Sequence, residues 1–566
     1  MSLFKKIESK RFFLILLLIS CFVYLQTFSS GFVGDDMDQV YNYALVNSFF
    51  DLFKVFFYHH QVLEAGPLLS GYYKPLMLFY IYSLRLFFGP NPFIFHFIQI
   101  ILVTINAFLV YILFSKFLKK NLSYLLAILF LIHPINQENA VYVSNIQDVL
   151  FFFFGMSALL LSLKKNLSGK QYLLLSILLL LSLLSKETGI LFSIIAFCNF
   201  LFFKKKNIKK ILFSIFGAVF LYIMLRFSSQ STNIFWIEPP PFAKVPFFNR
   251  LLHIPIIFFY YIKTFFYPDN LGFTQQWVIH TFNLGTFLLP FFLTVIFLGS
   301  LCLFYIRLVK KHFTESKLFI FFLFWFLLGI IPHLQIIPLD ATVATRWFYF
   351  SSVGIIGLIG IMINLGIQRF PKKEQVIFLS LIFLCFIFSL RTMVRNTQWK
   401  DAFTLYAADA KTSQSALLEN NLGDEYFKAG NIMQAQVHFR QALNIEPHLW
   451  IAVNNLGTIE EHNENYHNAY LYYKKALSLN DRLPMYENIA RVLVLSSKNK
   501  EAETFIRKAI QKYPLSAKLW ITLSLAHYNM GKLPEALGEA QKSYKLFPTL
   551  TTQQVIDAIQ SKLDKK

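Results

Sequence analysis

The chain is short of cysteine and short of acid. Its four cysteines, Cys21, Cys198, Cys302 and Cys385, all lie inside apolar runs with no ligand-like spacing. That argues against a disulfide framework and against a cysteine-bound metal. Only 31 of 566 residues are Asp or Glu, against 53 Lys and Arg. Charged residues of both signs make up just 15%, while 56% are hydrophobic and Phe alone contributes 67. A soluble globule of this size cannot bury so much apolar surface. The net charge of +22 could point to nucleic acid, but Lys and Arg cluster between apolar segments. Charges that set the orientation of membrane helices are distributed in this way. No nucleic-acid partner is expected, and the class is a polytopic helical membrane protein.

Thirteen apolar segments follow one another, at about 11–29, 74–89, 93–115, 122–134, 147–163, 171–184, 187–203, 209–226, 251–267, 284–306, 317–333, 347–366 and 374–391. The first follows Lys5, Lys6, Lys10 and Arg11, and Leu18-Ile19-Ser20-Cys21 resembles a lipoprotein cleavage box. The apolar run continues through Phe22-Val23-Tyr24-Leu25, so an uncleaved span is expected. Basic clusters lie at Lys5 to Arg11, Lys116 to Lys120, Lys164 to Lys170, Lys204 to Lys210, Arg307 to His312 and Arg369 to Lys373. If 74–89 and 251–267 do not span, all six fall on one side. About eleven spans then remain, with the N-terminus inside and the C-terminus outside. Segment 74–89, bracketed by Lys74 and Arg85, fits an interfacial helix.

After Arg391 the composition changes, and from about 416 the chain repeats. Ala435, Ala469, Ala502 and Ala536 are spaced 34, 33 and 34; Ala442, Ala476, Ala509 and Ser543 keep the same interval. Small residues at these positions let antiparallel helix pairs pack closely, and stacked pairs bury a shared core. Leu422-Gly423, Tyr426, Ala435, Phe439, Ala442 and Pro447 stand in tetratricopeptide register. The expected fold is all-α: a polytopic membrane domain over 1–395, then an α-solenoid of about four tetratricopeptide repeats with a capping helix over 416–563.

This topology gathers the uncommon polar residues of the membrane part on the outer face. They are Asp35, Asp36 and Asp38 in Gly31-Phe32-Val33-Gly34-Asp35-Asp36-Met37-Asp38; Tyr72-Tyr73-Lys74-Pro75; His133 through Glu138 to Asp148; Lys186-Glu187; the 227–283 region; and Asp340 with Arg346. Charged groups near hydrocarbon are costly and usually functional. Taken singly, each could be a capping or snorkelling residue; their convergence at one end of the helices argues otherwise. Paired acids at a membrane surface can take a proton from a hydroxyl, hold a metal, or simply be solvated.

Several of these stretches together resemble the membrane-embedded protein O-mannosyltransferases, in particular the subgroup that ends in tetratricopeptide repeats, and its bacterial relatives. The stretches are Phe32-Val33-Gly34-Asp35-Asp36, Tyr73-Lys74-Pro75-Leu76, Pro92 with His96, and His133-Pro134 with Glu138. They continue with Asp148-Val149-Leu150, Lys186-Glu187-Thr188-Gly189, and Arg346-Trp347-Phe348-Tyr349 with Ser352-Val353-Gly354. No one motif is specific; the ordered set is. The chain departs from the subgroup at Lys74, where Arg is usual, at Ile146, where Arg is usual, and at Thr345, where Glu is usual.

The resemblance implies a GT-C fold and a polyprenyl-phosphate sugar as donor, with a protein hydroxyl or an envelope component as acceptor. It implies a bacterial cytoplasmic membrane with the repeats on the outer face. Asp35 takes the role of general base, with Asp36 supporting it or helping to hold a metal. Lys74, Arg346 and Lys186 are the cations expected at the donor phosphate, with Arg250 a weaker choice. Glu138, Asp148 and Glu187 are expected to orient sugar or acceptor. No cofactor is certain: carboxylates with water suit magnesium or manganese, yet no cluster has convincing metal spacing. Asn421, Asn455 and Asn488 occupy the sixth position of three repeats, with Thr522 in the fourth. Side-chain amides both donate and accept, so a ladder of them could hold an extended polypeptide of any sequence. Repeat-bearing peptide glycosyltransferases use asparagines in this way; local packing is the plainer role.

Two other readings compete. A non-enzymatic membrane scaffold for envelope proteins would need no acid at Asp35. A transporter of lipid-linked sugars would place its polar residues at mid-membrane, not at one end of the helices.

Overall fold

The computed structural model describes residues 2–41, 48–57, 73–164, 166–202, 208–229, 241–273, 275–279, 281–311, 313–413 and 415–564. Tyr72, part of the basic cluster at 204–210 and part of the 227–283 region therefore lie outside the described residues. Among the described residues every regular element is a helix. The chain forms two compact units, the first continuing through Ser413. The segment 396–413, left unassigned by composition, thus belongs with the membrane helices.

Seven described helices are long and apolar enough to cross a membrane: 92–114, 143–162, 208–228, 284–311, 314–333, 345–369 and 371–398. The other four expected spans are also helical, as Ser2–Val23, Lys120–Ile132, Gly169–Ser185 and Ile190–Phe202. The two segments set aside are helices as well. Pro75–Phe88 has 14 residues, about 21 Å at 1.5 Å per residue, much like the 13-residue Lys120–Ile132 and Ile190–Phe202. Phe247–Phe266 is long enough but carries Arg250 and Lys263 within it. Helix starts follow their local chemistry. Asn91 caps Pro92–Phe114 by accepting from the Phe93 amide, and Ser168 forms a reciprocal capping box with Gln171.

The two ends of the bundle are knit differently. At one end the basic clusters meet: Lys119 pairs with Glu374 at 3.1 Å, in the open. At the other end the contacts are buried and neutral. The Tyr24 hydroxyl donates to Leu131 O at 2.9 Å and Thr392 donates to Ile132 O at 2.7 Å. Asn396 receives from Gln137 at 2.8 Å and donates to Val23 O at 2.9 Å. The helices Ser2–Val23, Lys120–Ile132 and Glu374–Gln398 are thereby pinned where the polar motifs emerge. Beyond them, Arg395 and Asp409 form an ion pair at 2.7 Å, both almost fully buried, and the Phe273 amide donates to the same carboxylate at 2.7 Å.

The second unit consists of four helix pairs, Ala416–Lys428 with Ile432–Ile445, Trp450–His462 with Tyr466–Leu479, Leu483–Leu495 with Asn499–Lys512, and Ala517–Asn529 with Leu533–Leu546, closed by Leu550–Leu563. Every alanine of the repeating series is fully buried, as the close-packing argument requires. The turn inside each pair uses a left-handed residue at the same place: Gly430, Glu464, Ser497 and Gly531, with φ of 78°, 61°, 61° and 77°. Two of the four are not glycine, so these turns accept the small strain of a side chain there.

Candidate active site

The pair of acids at the end of the first span is split by burial. Gly34 turns the chain with φ of 57°, a conformation that suits glycine. The Gly31 amide holds the stretch by donating to Lys400 O at 2.9 Å. Asp35, the first residue of the short helix Asp35–Tyr41, is exposed. Asp36 is 1% exposed. It accepts from the amides of Ser144 at 2.6 Å, Val33 at 3.3 Å and Val143 at 3.4 Å. Burial pushes its carboxyl up to about 7, opposed by the Ser144 and Val33 hydrogen bonds and aided by the Asp35 charge. Asp36 thus ties the loop to 143–145 and leaves Asp35 as the acid that a substrate can reach.

Of the cations named from the sequence, Arg346 and Lys186 each meet a carboxylate. Arg346 pairs with Glu138 at 2.5 Å, and the Arg346 amide donates to the same carboxylate at 3.2 Å. Thr345 donates to it as well, at 2.5 Å, so the departure at 345 supplies a neutral partner for Glu138. Lys186 bonds both oxygens of Asp148, at 2.7 and 2.8 Å; Ile146, where a family arginine is usual, is fully buried. Glu187 receives Arg226 at 2.9 Å and the Tyr73 amide at 2.9 Å. Glu138, Asp148 and Glu187 therefore hold cations and backbone in place. Lys74 stands in the same cluster: burial lowers its pKa, Glu187 opposes that, Lys186 adds to it, and Asp340 and Asp148 oppose it. Arg250 is spent on Ile336 O at 3.2 Å.

Tyr142 connects the acid with the cation. Its phenol is 4% exposed and feels the charges of Asp35, Asp36 and Arg346. Its ring packs edge-on against Phe273 at 5.0 Å, and the Arg346 guanidinium lies 5.8 Å from the Phe273 ring. Phe273 also lies where a Cβ on Gly34 would come within 3.6 Å. One aromatic cluster thus joins the Asp35 loop to Arg346. Tyr142 and Arg226 were not legible as site residues, because each belongs to the site through partners remote in sequence.

His133, weighed as a metal ligand, accepts from the Ile135 amide at 3.2 Å and stacks on Phe265 at 4.5 Å. That is a structural role. Among the described residues no three His, Cys, Asp or Glu side chains gather as a metal site, and Asp36 already receives three backbone amides. The described residues thus offer a divalent ion no cluster of three such ligands.

Asn421, Asn455 and Asn488 lie in the second unit and form a ladder with their neighbours. Asn455 donates to Asn420 at 3.0 Å and Asn488 donates to Asn454 at 2.8 Å. Asn420 donates to Asn421 at 3.4 Å. Asn455 and Asn488 thus bridge successive repeats, while Asn421 is bonded within its own.

Residues 73–229 match the family described as dolichyl-phosphate-mannose-protein mannosyltransferase, and residues 452–482 match a tetratricopeptide repeat family. The chain is similar to Protein O-mannosyl-transferase F38B6.6 of Caenorhabditis elegans, 24% identical over 452 residues, which cover 77% of this chain and 62% of that protein. It is also similar to Protein O-mannosyl-transferase TMTC3 of Homo sapiens, 29% identical over 254 residues, 41% of this chain and 26% of that one. The chain thus spans less than two thirds of the length of these relatives. Among solved structures, a tetratricopeptide repeat protein from Parabacteroides merdae covers 37% of this chain and 80% of its own, at 16% identity and a TM-score of 0.27. The expected resemblance to GT-C mannosyltransferases with tetratricopeptide repeats is borne out, as is the all-α class.

Proposed function

We propose that this integral membrane protein is a glycosyltransferase that moves a sugar from a polyprenyl-phosphate donor to a protein hydroxyl at the outer face of the membrane. The observation that carries this reading is the Phe273 ring, which packs on Tyr142 and under the Arg346 guanidinium and lies beside Gly34, the neighbour of the exposed Asp35. Sugar transfer needs a base at the acceptor and positive charge at the leaving group, a few ångströms apart. Asp35 takes the proton of the acceptor hydroxyl as its oxygen attacks the anomeric carbon. The bond from that carbon to the phosphate oxygen breaks, and the electron pair leaves with the phosphate. The attack comes from the face opposite the phosphate, so the anomeric configuration inverts. Arg346, Lys186 and Lys74 meet the charge that builds on the leaving oxygen. Because Glu138 and Asp148 hold Arg346 and Lys186 in place beforehand, little reorganisation is needed during reaction.

Asp36 supports the base by fixing its loop. The repeats bind the polypeptide acceptor through the Asn421, Asn455 and Asn488 ladder and, being tethered to the transferase unit, raise the acceptor's effective concentration. The family likeness supports the donor class, and the basic clusters support an outward-facing site.

The test is Asp35→Asn in the full-length protein. Turnover falls by about a hundredfold or more, the usual range for losing general-base help, while the variant still binds donor lipid. A wild-type transfer rate in that variant would sink the proposal.

A further inference from the structure

Five buried histidines differ in what their rings do. His133 accepts an amide and stacks on Phe265. His253 is held at both nitrogens, with Nδ1 2.7 Å from Asn249 O and Nε2 accepting from the Ile279 amide at 2.9 Å. His527 lies between Glu539 at 2.7 Å and Glu503 at 3.1 Å. His96 lies under Ser30 and Gly31. Ring nitrogens without a hydrogen-bond partner among the described residues also occur at His96 and His133, and His333 differs from those two in the charge around its ring. It is 8% exposed, its ring stacks on Trp347 at 4.9 Å and 14°, and its buried Nδ1 has no hydrogen-bond partner among the described residues.

Its surroundings point to a ligand. The charges of Lys186 and Arg346 both act on the ring, and the Arg346 guanidinium lies 5.8 Å from the Trp347 ring that carries the stack. A buried imidazole nitrogen without a partner costs folding energy. Placing two cations beside the ring adds to that cost, because neither can accept a hydrogen bond from it. An anion resolves both: its oxygens accept from the ring N–H and from the two cations together. Lys186 and Arg346 are each already bound to a carboxylate, so the anion would need a further donor from the chain.

We propose that His333 is a ligand of the donor phosphate, with a ring N–H donating to an oxygen that Lys186 and Arg346 neutralise. This rests on the reading of Lys186 and Arg346 as the donor-phosphate cations, and it adds a neutral donor to that site. The stack on Trp347 fixes the ring plane in advance, so little side-chain freedom is lost when the lipid binds.

The experiment uses the full-length protein in lipid nanodiscs, with a polyprenyl phosphate as probe and the matching polyprenol as control. His333→Phe keeps a ring on Trp347 and loses the N–H; His333→Gln restores an N–H. Wild type binds the polyprenyl phosphate more tightly than the polyprenol. In His333→Phe that affinity falls about tenfold or more, the range for a hydrogen bond to a charged group. His333→Gln recovers part of it, and the KM for acceptor stays as in wild type. Undiminished affinity in a folded His333→Phe, with wild type still preferring phosphate over alcohol, overturns the role of His333 alone. Equal binding of phosphate and alcohol by wild type overturns the phosphate site beneath it. Displacement of the lipid by inorganic phosphate at matched concentration overturns the assignment to a lipid-borne phosphate.

Discussion

The Ser144 amide donates to Asp36 at 2.6 Å across 108 residues of sequence. This contact ties the loop after the first span to the loop before the helix Ile146–Ser162. It also assigns the two adjacent acids different work: one anchors, and the other faces out.

Asp36 gives the protein a pH signature. Burial raises its carboxyl to about 7, while the unfolded value is about 3.9. Between those values the native state holds more protons than the unfolded chain, so stability falls as pH rises from about 4 to 7. Thermal unfolding in detergent should show a higher midpoint at pH 5 than at pH 8, with the difference reduced in Asp36→Asn. An identical pH response in the variant would place its source elsewhere.

The Lys186–Asp148 pair is 12% and 3% exposed, so breaking it leaves a poorly solvated charge. Asp148→Asn should destabilise the membrane unit by roughly 3–5 kcal/mol, the usual cost of orphaning a buried partner. Lys186→Met with Asp148→Leu should recover much of that stability without recovering transfer. A double variant no more stable than the single one would contradict this account.

The asparagine ladder makes two separable predictions. Changing Asn421, Asn455 and Asn488 to Ala removes the two inter-repeat hydrogen bonds that Asn455 and Asn488 donate, worth about 1 kcal/mol each, so the repeats should melt earlier. If the amides also hold the acceptor, affinity for a polypeptide acceptor falls while transfer to a short soluble acceptor persists. Unchanged acceptor affinity in a folded triple variant would confine the ladder to packing.

Orientation follows from the basic clusters. Lys119 and Glu374 meet across 255 residues, which places the clusters at 116–120 and 369–373 at one end of the bundle. That end should face the cytoplasm, and a reporter fused after Lys566 should behave as external. Activity from a reporter that works only in the cytoplasm would reverse the assignment.

Much of this architecture was written in local pattern. A run of apolar side chains commits a segment to a helix in lipid wherever its neighbours lie, so the seven described helices long and apolar enough to cross could be read one at a time. The repeats were legible for the same reason, because a 34-residue period states which small residues must face each other. The rarity of acids marked Asp35, Glu138, Asp148 and Glu187 as worth explaining. Their division of labour was not local. Burial separated Asp35 from Asp36, whose types and neighbours in sequence are nearly the same. Lys186 found Asp148 across 38 residues and Arg346 found Glu138 across 208, pairings set by helix packing. Tyr142 and His333 became site residues only where packing brought remote cations, acids and rings against them. Sequence determined which segments enter the membrane and which repeat; the tertiary fold decided which polar groups are satisfied internally and which are left to meet a substrate, because that depends on the partners a folded chain brings within hydrogen-bond reach.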